Sequence, residues 1–184
     1  MSNSTMLNTK TLAIIATHGF EQSELLDPKT ELEARGAITH IISINGNETI
    51  RGWDEKDWGE EVKVDKQIEQ ANISDYDAVI LPGGQMNPDI LRTDPKVVNF
   101  IKSADQESQI KAIAAICHGP WLLAEANIIK GKKVTSYPSI KTDLKNAEAN
   151  WQDYETVVDG KLITSRNPDD IPAFIEAISE KLLN

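Results

Sequence analysis

Cysteine is almost absent from this chain: of its 184 residues, Cys117 alone is one. That excludes any disulfide within the chain and is compatible with a reducing compartment. Positive charge is also scarce, with 19 Lys and Arg against 29 Asp and Glu and a formal net charge of -10. A nucleic-acid partner needs clustered cations to meet the phosphates, so none is expected. No apolar run exceeds about five to seven residues, far short of the roughly 20 that a membrane helix requires, and no membrane partner is expected either. The opening MSNSTMLNTKTLAIIATHG lacks the basic start and long apolar stretch of a secretory signal, and the chain reads as cytoplasmic. The only histidines are His18, His40 and His118, none at ligand spacing from another, so no metal is expected. Neither a G-x-G-x-x-G string nor a P-loop lysine is present, which leaves no nucleotide cofactor to expect.

No repeat, low-complexity segment or linker-like run divides the sequence. One domain over residues 1–184 is the simplest organisation, with residues 1–9 as a flexible N-terminus. Apolar runs alternate with helical patterns. Residues 11–16, 38–44, 77–81 and 110–116 read as buried strands. Asn45-Gly46 marks a turn, and short extended pieces fall around Ile50 and Val62. Residues 133–137 read as a strand, and 155–159 and 161–165 as a hairpin about Gly160. Helices are expected from near Asp27, because of Pro28, to Gly36. Others are expected over 95–106, with Asp94 as cap and Pro95 in the first position, from Pro120 to Asn127, and over 168–183. Such alternation predicts an α/β fold with a mostly parallel sheet covered by helices on both faces. Ligands in such folds sit beyond the C-terminal strand ends. Three polar clusters fall there: His18 to Glu24, Gly83-Gly84, and Cys117-His118.

A lone cysteine beside an apolar strand is most often inert core. Cys117, however, lies between a strand and a helix, among Ala115, Gly119 and Pro120. Small residues allow a tight strand-to-helix turn, which lifts a nucleophile above the sheet. A helix start then offers amides and positive potential to the sulfur and favours the reactive thiolate. His118 is either its base or a structural histidine. Glu21 and Glu24 follow the first strand, and either can hold a proton near sulfur. Asp89 is a further acid at a strand end, or simply a helix-start carboxylate. The Gly83-Gly84 pair can present backbone amides to an oxyanion, or serve only as a turn. Trp53 and Trp58, within acidic sequence, suit a loop packed on itself or an oligomer contact.

Five ordered motifs, G-F-E-x-x-E, L-P-G-G, A-I-C-H-G-P, T-S-Y-P-S-I-K and S-R-N-P-D-D-I-P-A-F, run from Gly19 to Phe174. In this order the chain resembles the PfpI/ThiJ superfamily from about Lys10 to Leu182, and within it the PfpI-type intracellular protease and stress-protein branch. The resemblance implies a flavodoxin-like three-layer sandwich with Cys117 as nucleophile on an elbow. It implies Glu21 as the acid bonded to the thiol, the backbone amides of Gly84 and His118 as oxyanion donors, and His118 as base. A third triad member follows the Gly-Gly turn in such proteins and comes from a neighbouring subunit. Here Pro88-Asp89 stands in that place, one residue later and with a shorter acid. Tyr137 and Arg166 fall in motifs near the cleft. The resemblance further implies a homodimer or larger homo-oligomer and no cofactor. Activities ascribed to such proteins are glyoxalase III or deglycase action on reactive carbonyls and glycation adducts, peptidase or amidase action, and a non-enzymatic redox-sensing or chaperone role. The first suits Cys117 with a neighbouring acid best.

Overall fold

The structure is a computed structural model that describes residues 6–184. In chain order the elements begin with β1 (Thr11–Ile15), β2 (Phe20–Glu21), α1 (Gln22–Ala34), β3 (Ile38–Ser43), β4 (Thr49–Asp54), β5 (Asp57–Lys63) and β6 (Lys66–Gln67). They continue with β7 (Ala78–Leu81), α2 (Met86–Leu91), α3 (Pro95–Gln106), β8 (Ala112–Ile116), α4 (Pro120–Glu125) and β9 (Lys133–Val134). The last are α5 (Lys141–Asn146), β10 (Asn150–Trp151), β11 (Thr156–Asp159), β12 (Leu162–Ser165) and α6 (Ile171–Leu183).

Seven strands form the central sheet in the order β11-β12-β8-β7-β1-β3-β6. All pairings in it are parallel except β11 with β12. The central strands β1, β7 and β8 are apolar without alternation because both faces are covered. Ala13, Ile15, Val79, Leu81 and Ile113 pack to one side with Phe100 and Ile101 of α3 and Leu122 of α4. Leu12, Ile14, Ala78, Ile80 and Ala114 pack to the other with Leu25 and Leu32 of α1 and Phe174 and Ile178 of α6. The result is the flavodoxin-like three-layer sandwich. Among the described residues no helix is long and apolar enough to cross a membrane.

The strand order places the site. After β1 the chain steps to β3 on one side, and it then returns to β7 on the other. The connections after β1 and β7 therefore diverge and leave a crevice at their C-terminal ends. β8 lies beyond β7, so β7 stands between the strand carrying Cys117 and β1. All three polar clusters meet at this crevice. β2 leaves the main sheet and pairs with β4, and Trp53 and Glu55 of the β4–β5 hairpin line the crevice.

Several elements depart from the sequence expectation. α1 begins at Gln22, not near Asp27, and takes Pro28 into its interior. A proline there removes one helical amide, and the ring instead packs in the buried stripe with Leu25 and Leu32. The expected strand over 133–137 stops at Val134 and pairs with β10 in a separate small sheet. α2 and α5 are short helices that the sequence reading did not anticipate. Of the expected flexible stretch 1–9, residues 1–5 lie outside the described residues. Leu7 is tied down: its side chain is fully buried and its amide donates to the Arg35 carbonyl at 2.6 Å.

Candidate active site

Cys117 follows β8 directly, and its backbone has φ 62°, in the left-handed region. A non-glycine residue held there is strained. Three backbone bonds hold it: Cys117 N donates to Ser165 O at 3.0 Å, Tyr137 N to Cys117 O at 2.8 Å, and Gly119 N to Ile116 O at 2.8 Å. Gly119 has to be glycine, because a Cβ would come 2.4 Å from Leu81 O and 2.8 Å from Ile116 O. The turn thus points the thiol out of the sheet toward the β7 turn. Only 6% of the residue is exposed, at the floor of a cleft of about 520 Å³.

Glu24, in the first turn of α1, is wholly buried beside the sulfur. Its Oε2 accepts the Gly83 amide at 2.8 Å, and Oε1 has no partner of standard hydrogen-bond geometry. Burial raises its pKa to about 8, with the nearby Glu21 charge adding to the rise and bonds from Gly83 and Cys117 opposing it. Burial also raises the thiol, and the Glu24 charge raises it further, while the amides of Gly84 and His118 pull it down. The thiolate expected from a helix start is therefore not the outcome of the backbone alone. Burial disfavours it most, and Glu24's own negative charge comes next. When Glu24 holds the proton that charge vanishes, and the neutral carboxyl becomes a donor beside the sulfur. The two groups titrate as a coupled pair.

His118 lies on the other side. Its Nδ1 is 3.2 Å from Cys117 Sγ, and its Nε2 is 3.3 Å from Ser139 Oγ. The ring stacks on Tyr137, with centroids 4.9 Å apart at 24°, and meets Trp121 edge-on at 5.2 Å. Burial lowers its pKa, so the imidazole is neutral at neutral pH and able to take a proton. Among the described residues no group of three or more His, Cys, Asp or Glu could hold a metal ion.

The model of the DJ-1/PfpI family matches residues 10–181. The chain belongs to the DJ-1/PfpI family. Over 167 residues it is 40% identical to "Protein/nucleic acid deglycase 2" of Escherichia coli (strain K12), covering 90% of this chain and 94% of that protein. It is 39% identical over 166 residues to "Putative cysteine protease YraA" of Bacillus subtilis (strain 168), covering 90% and 94%. Among solved structures, a two-domain protein of Anabaena variabilis with a DJ-1/ThiJ/PfpI-like and a ferritin-like domain matches with TM-score 0.88 at 36% identity. That match covers 95% of this chain and 48% of that one.

In this DJ-1/PfpI protein the residues expected at the site are placed unequally. The carboxyl that lies beside the thiol is Glu24's, not Glu21's. Glu21 sits in β2, paired with Trp53, and lines the cleft higher up with Glu55. Partial burial raises its pKa, and the charges of Asp54 and Glu55 add to the rise. The Gly84 and His118 amides both pull the thiol pKa down. Tyr137 lines the cleft, 39% exposed. Asp89 does not line it: it borders a second cavity of about 440 Å³, on the far side of His118 with Trp121 and Ser139. Arg166 turns to Asp170 at 2.9 Å and Asp153 at 2.9 Å and holds the approach to α6 instead. Trp53 and Trp58 pack edge-on, with centroids 5.6 Å apart, at the hairpin tip.

Ser139 and Asn87 are not singled out from the sequence, and Glu24 is weighed there beside Glu21, but the resemblance points to Glu21. For Glu24 a signal existed. Residues 24, 28 and 32 lie at i, i+4 and i+8 on the buried stripe of α1, and an ionisable group on such a stripe has to have a partner inside.

Proposed function

We propose that the protein is a cofactor-independent cysteine enzyme acting on reactive carbonyl compounds or their adducts, of the glyoxalase III or deglycase type. The observation that carries this reading is the buried Glu24 carboxyl, its pKa raised to about 8, beside Cys117. It supplies a group that both accepts the thiol proton and returns it at neutral pH. With the proton on Glu24, the Cys117 thiolate adds to an aldehyde carbon. The new oxyanion is held by the Gly84 and His118 amides, and Glu24 returns the proton to give a hemithioacetal. For methylglyoxal, His118 or Glu24 then removes the hydrogen from the former aldehyde carbon. A proton is restored at the adjacent carbon, leaving a thioester on Cys117, and water releases lactate. Net, one methylglyoxal and one water give one lactate, with no external oxidant.

A cleft of about 520 Å³ lined by Trp53 and Glu55 of the hairpin suits a small carbonyl better than an extended peptide. The relative named a deglycase is named for both protein and nucleic acid. With a net charge of -10 we favour free carbonyls and protein adducts, since phosphate backbones are repelled. The Sγ–Nδ1 approach of 3.2 Å favours a second reading, peptidase or amidase action through the same cysteine. We further expect a cytoplasmic homo-oligomer, which sedimentation of the purified chain checks. D-lactate or glycolate production from methylglyoxal or glyoxal, compared between wild type and Cys117→Ser, tests the main reading. Turnover dependent on Cys117 is expected, and equal turnover in both rejects it. Cleavage of unstructured peptides, lost in Cys117→Ser and without carbonyl turnover, would install the second reading.

A further inference from the structure

Asn87 is fully buried in α2 and makes three hydrogen bonds. Its Oδ1 accepts the Thr17 amide at 2.8 Å, and its Nδ2 donates to Pro82 O at 3.0 Å and to Gly83 O at 3.2 Å. The orientation of the side-chain amide is fixed by these partners, since only an oxygen can take the Thr17 N–H and only an NH₂ can serve two carbonyls. Those two carbonyls belong to successive peptide planes of the β7 turn. No peptide bond among the described residues is cis, and in a trans peptide the C=O and the following N–H point in opposite directions. Holding Pro82 O on one side therefore aims Gly83 N–H to the other, where it meets Glu24 Oε2 at 2.8 Å. Holding Gly83 O likewise aims Gly84 N–H away from Asn87, on a turn that lies against Cys117: a Cβ on Gly83 would come 2.7 Å from Cys117 Cβ, and the Gly84 amide pulls the thiol pKa down. The Glu21 amide also reaches Gly83 O, at 3.2 Å, but Pro82 O is reached by Asn87 alone among the hydrogen bonds of the described residues.

We infer that Asn87 is the positioning residue for both halves of the reacting pair: one side-chain amide sets the plane that binds the acid and the plane that binds the sulfur. It touches neither the thiol nor the cleft and acts through the backbone between them. Because Asn87 also ties the turn to Thr17 at the end of β1, it fixes the two diverging loops of the crevice to each other. This builds on the Cys117 chemistry proposed above, so its test uses a readout independent of any carbonyl substrate.

The decisive variant is Asn87→Asp, which keeps the acceptor for Thr17 but replaces the donor with an oxygen facing two carbonyls. The rate of Cys117 alkylation by iodoacetamide against pH is measured for wild type and Asn87→Asp. Leu182→Ala serves as the control, a cavity in the far part of α6 that destabilises without touching the turn. Asn87→Asp is expected to shift the alkylation profile upward by about one pH unit or more, since the sulfur loses an aimed amide donor. Leu182→Ala is expected to lower the melting temperature and leave the profile in place. If Asn87→Asp cannot be recovered folded, Asn87→Ser, which is too short to span both carbonyls, is measured instead and should shift the profile in the same direction. A profile superimposable on wild type in a folded Asn87 variant overturns the inference, as does an equal shift in Leu182→Ala. Loss of carbonyl turnover with no shift would count against the inference while leaving the proposed function standing. A shift with no carbonyl turnover even in wild type would do the reverse.

Discussion

The two flanks of the Cys117 sulfur are built differently. On the flank toward β1 and β7, Glu24, Gly83 and Asn87 are held in fixed bonds with no room between them. A Cβ at Gly83 would meet Glu24 Oε2 at 2.5 Å, Cys117 Cβ at 2.7 Å and Ile116 O at 2.8 Å. On the flank toward β9 and α5, His118 is held by stacking on a partly exposed Tyr137, by the edge of Trp121 and by 3.2–3.3 Å contacts to Cys117 and Ser139, and it lines two cavities. The rigid flank governs where the proton sits. The looser one carries a base that can adjust to what binds. Preorganised dipoles have to be immobile to be effective, whereas a proton shuttle has to move.

The comparison can be broken first at Gly83. Gly83→Ala drives a methyl into backbone and acid together, and is expected to cost about 3 kcal/mol or more and to abolish thiol reactivity, read by denaturant melts and alkylation. Glu24→Gln separates charge from proton transfer. Carbonyl turnover should fall by about 10²- to 10⁴-fold, yet the thiol pKa should drop, because the carboxylate charge that raised it is gone. Alkylation should therefore become faster above about pH 8, where wild-type Glu24 is ionised, while turnover collapses.

The same variant tests a stability effect of definite sign. Folding raises the Glu24 pKa from 4.5 to about 8, so the folded state holds a proton that the unfolded chain releases. The stabilisation that this proton contributes is complete below about pH 4.5 and is lost as pH rises through about 8. Wild type should lose melting temperature over that window, and Glu24→Gln should show a flatter profile. On the loose flank, His118→Ala is expected to lower turnover by a smaller factor, about 10- to 100-fold, with little effect on stability. Smallest of all, Asp89→Asn should leave turnover within about two-fold, because the residue faces the second cavity. A loss near that of His118→Ala would assign Asp89 the role of third member.

Strand runs of Ile, Val and Ala identified the sheet, because burial on both faces leaves no polar alternation. Asp94-Pro95 located α3, where Asp94 Oδ1 accepts Lys96 N at 2.8 Å. Gly160 located the β11–β12 hairpin, with φ 62°. The cysteine could be placed on its turn for the same kind of reason: small neighbours, then proline, are a local signature. The acid could not. Choosing between Glu21 and Glu24 requires knowing that α1 starts at Gln22, and Pro28 argued against that start from local preference alone. Burial of the stripe in the fold outweighed that preference. Asn87 left still less trace, since its role lies in peptide planes brought to it by a tertiary turn. Tyr137, Arg166 and Asp89 share motifs with the site but are directed by contacts that no spacing encodes.

The left-handed backbone at Cys117 has a consequence for how this position is probed. Serine and alanine placed there inherit the same uncomfortable dihedral, so differences among them report on the side chain alone. Glycine sheds the discomfort as well as the sulfur. Comparing the glycine form with the alanine form would read off how much conformational energy the elbow stores, separately from anything the thiol does.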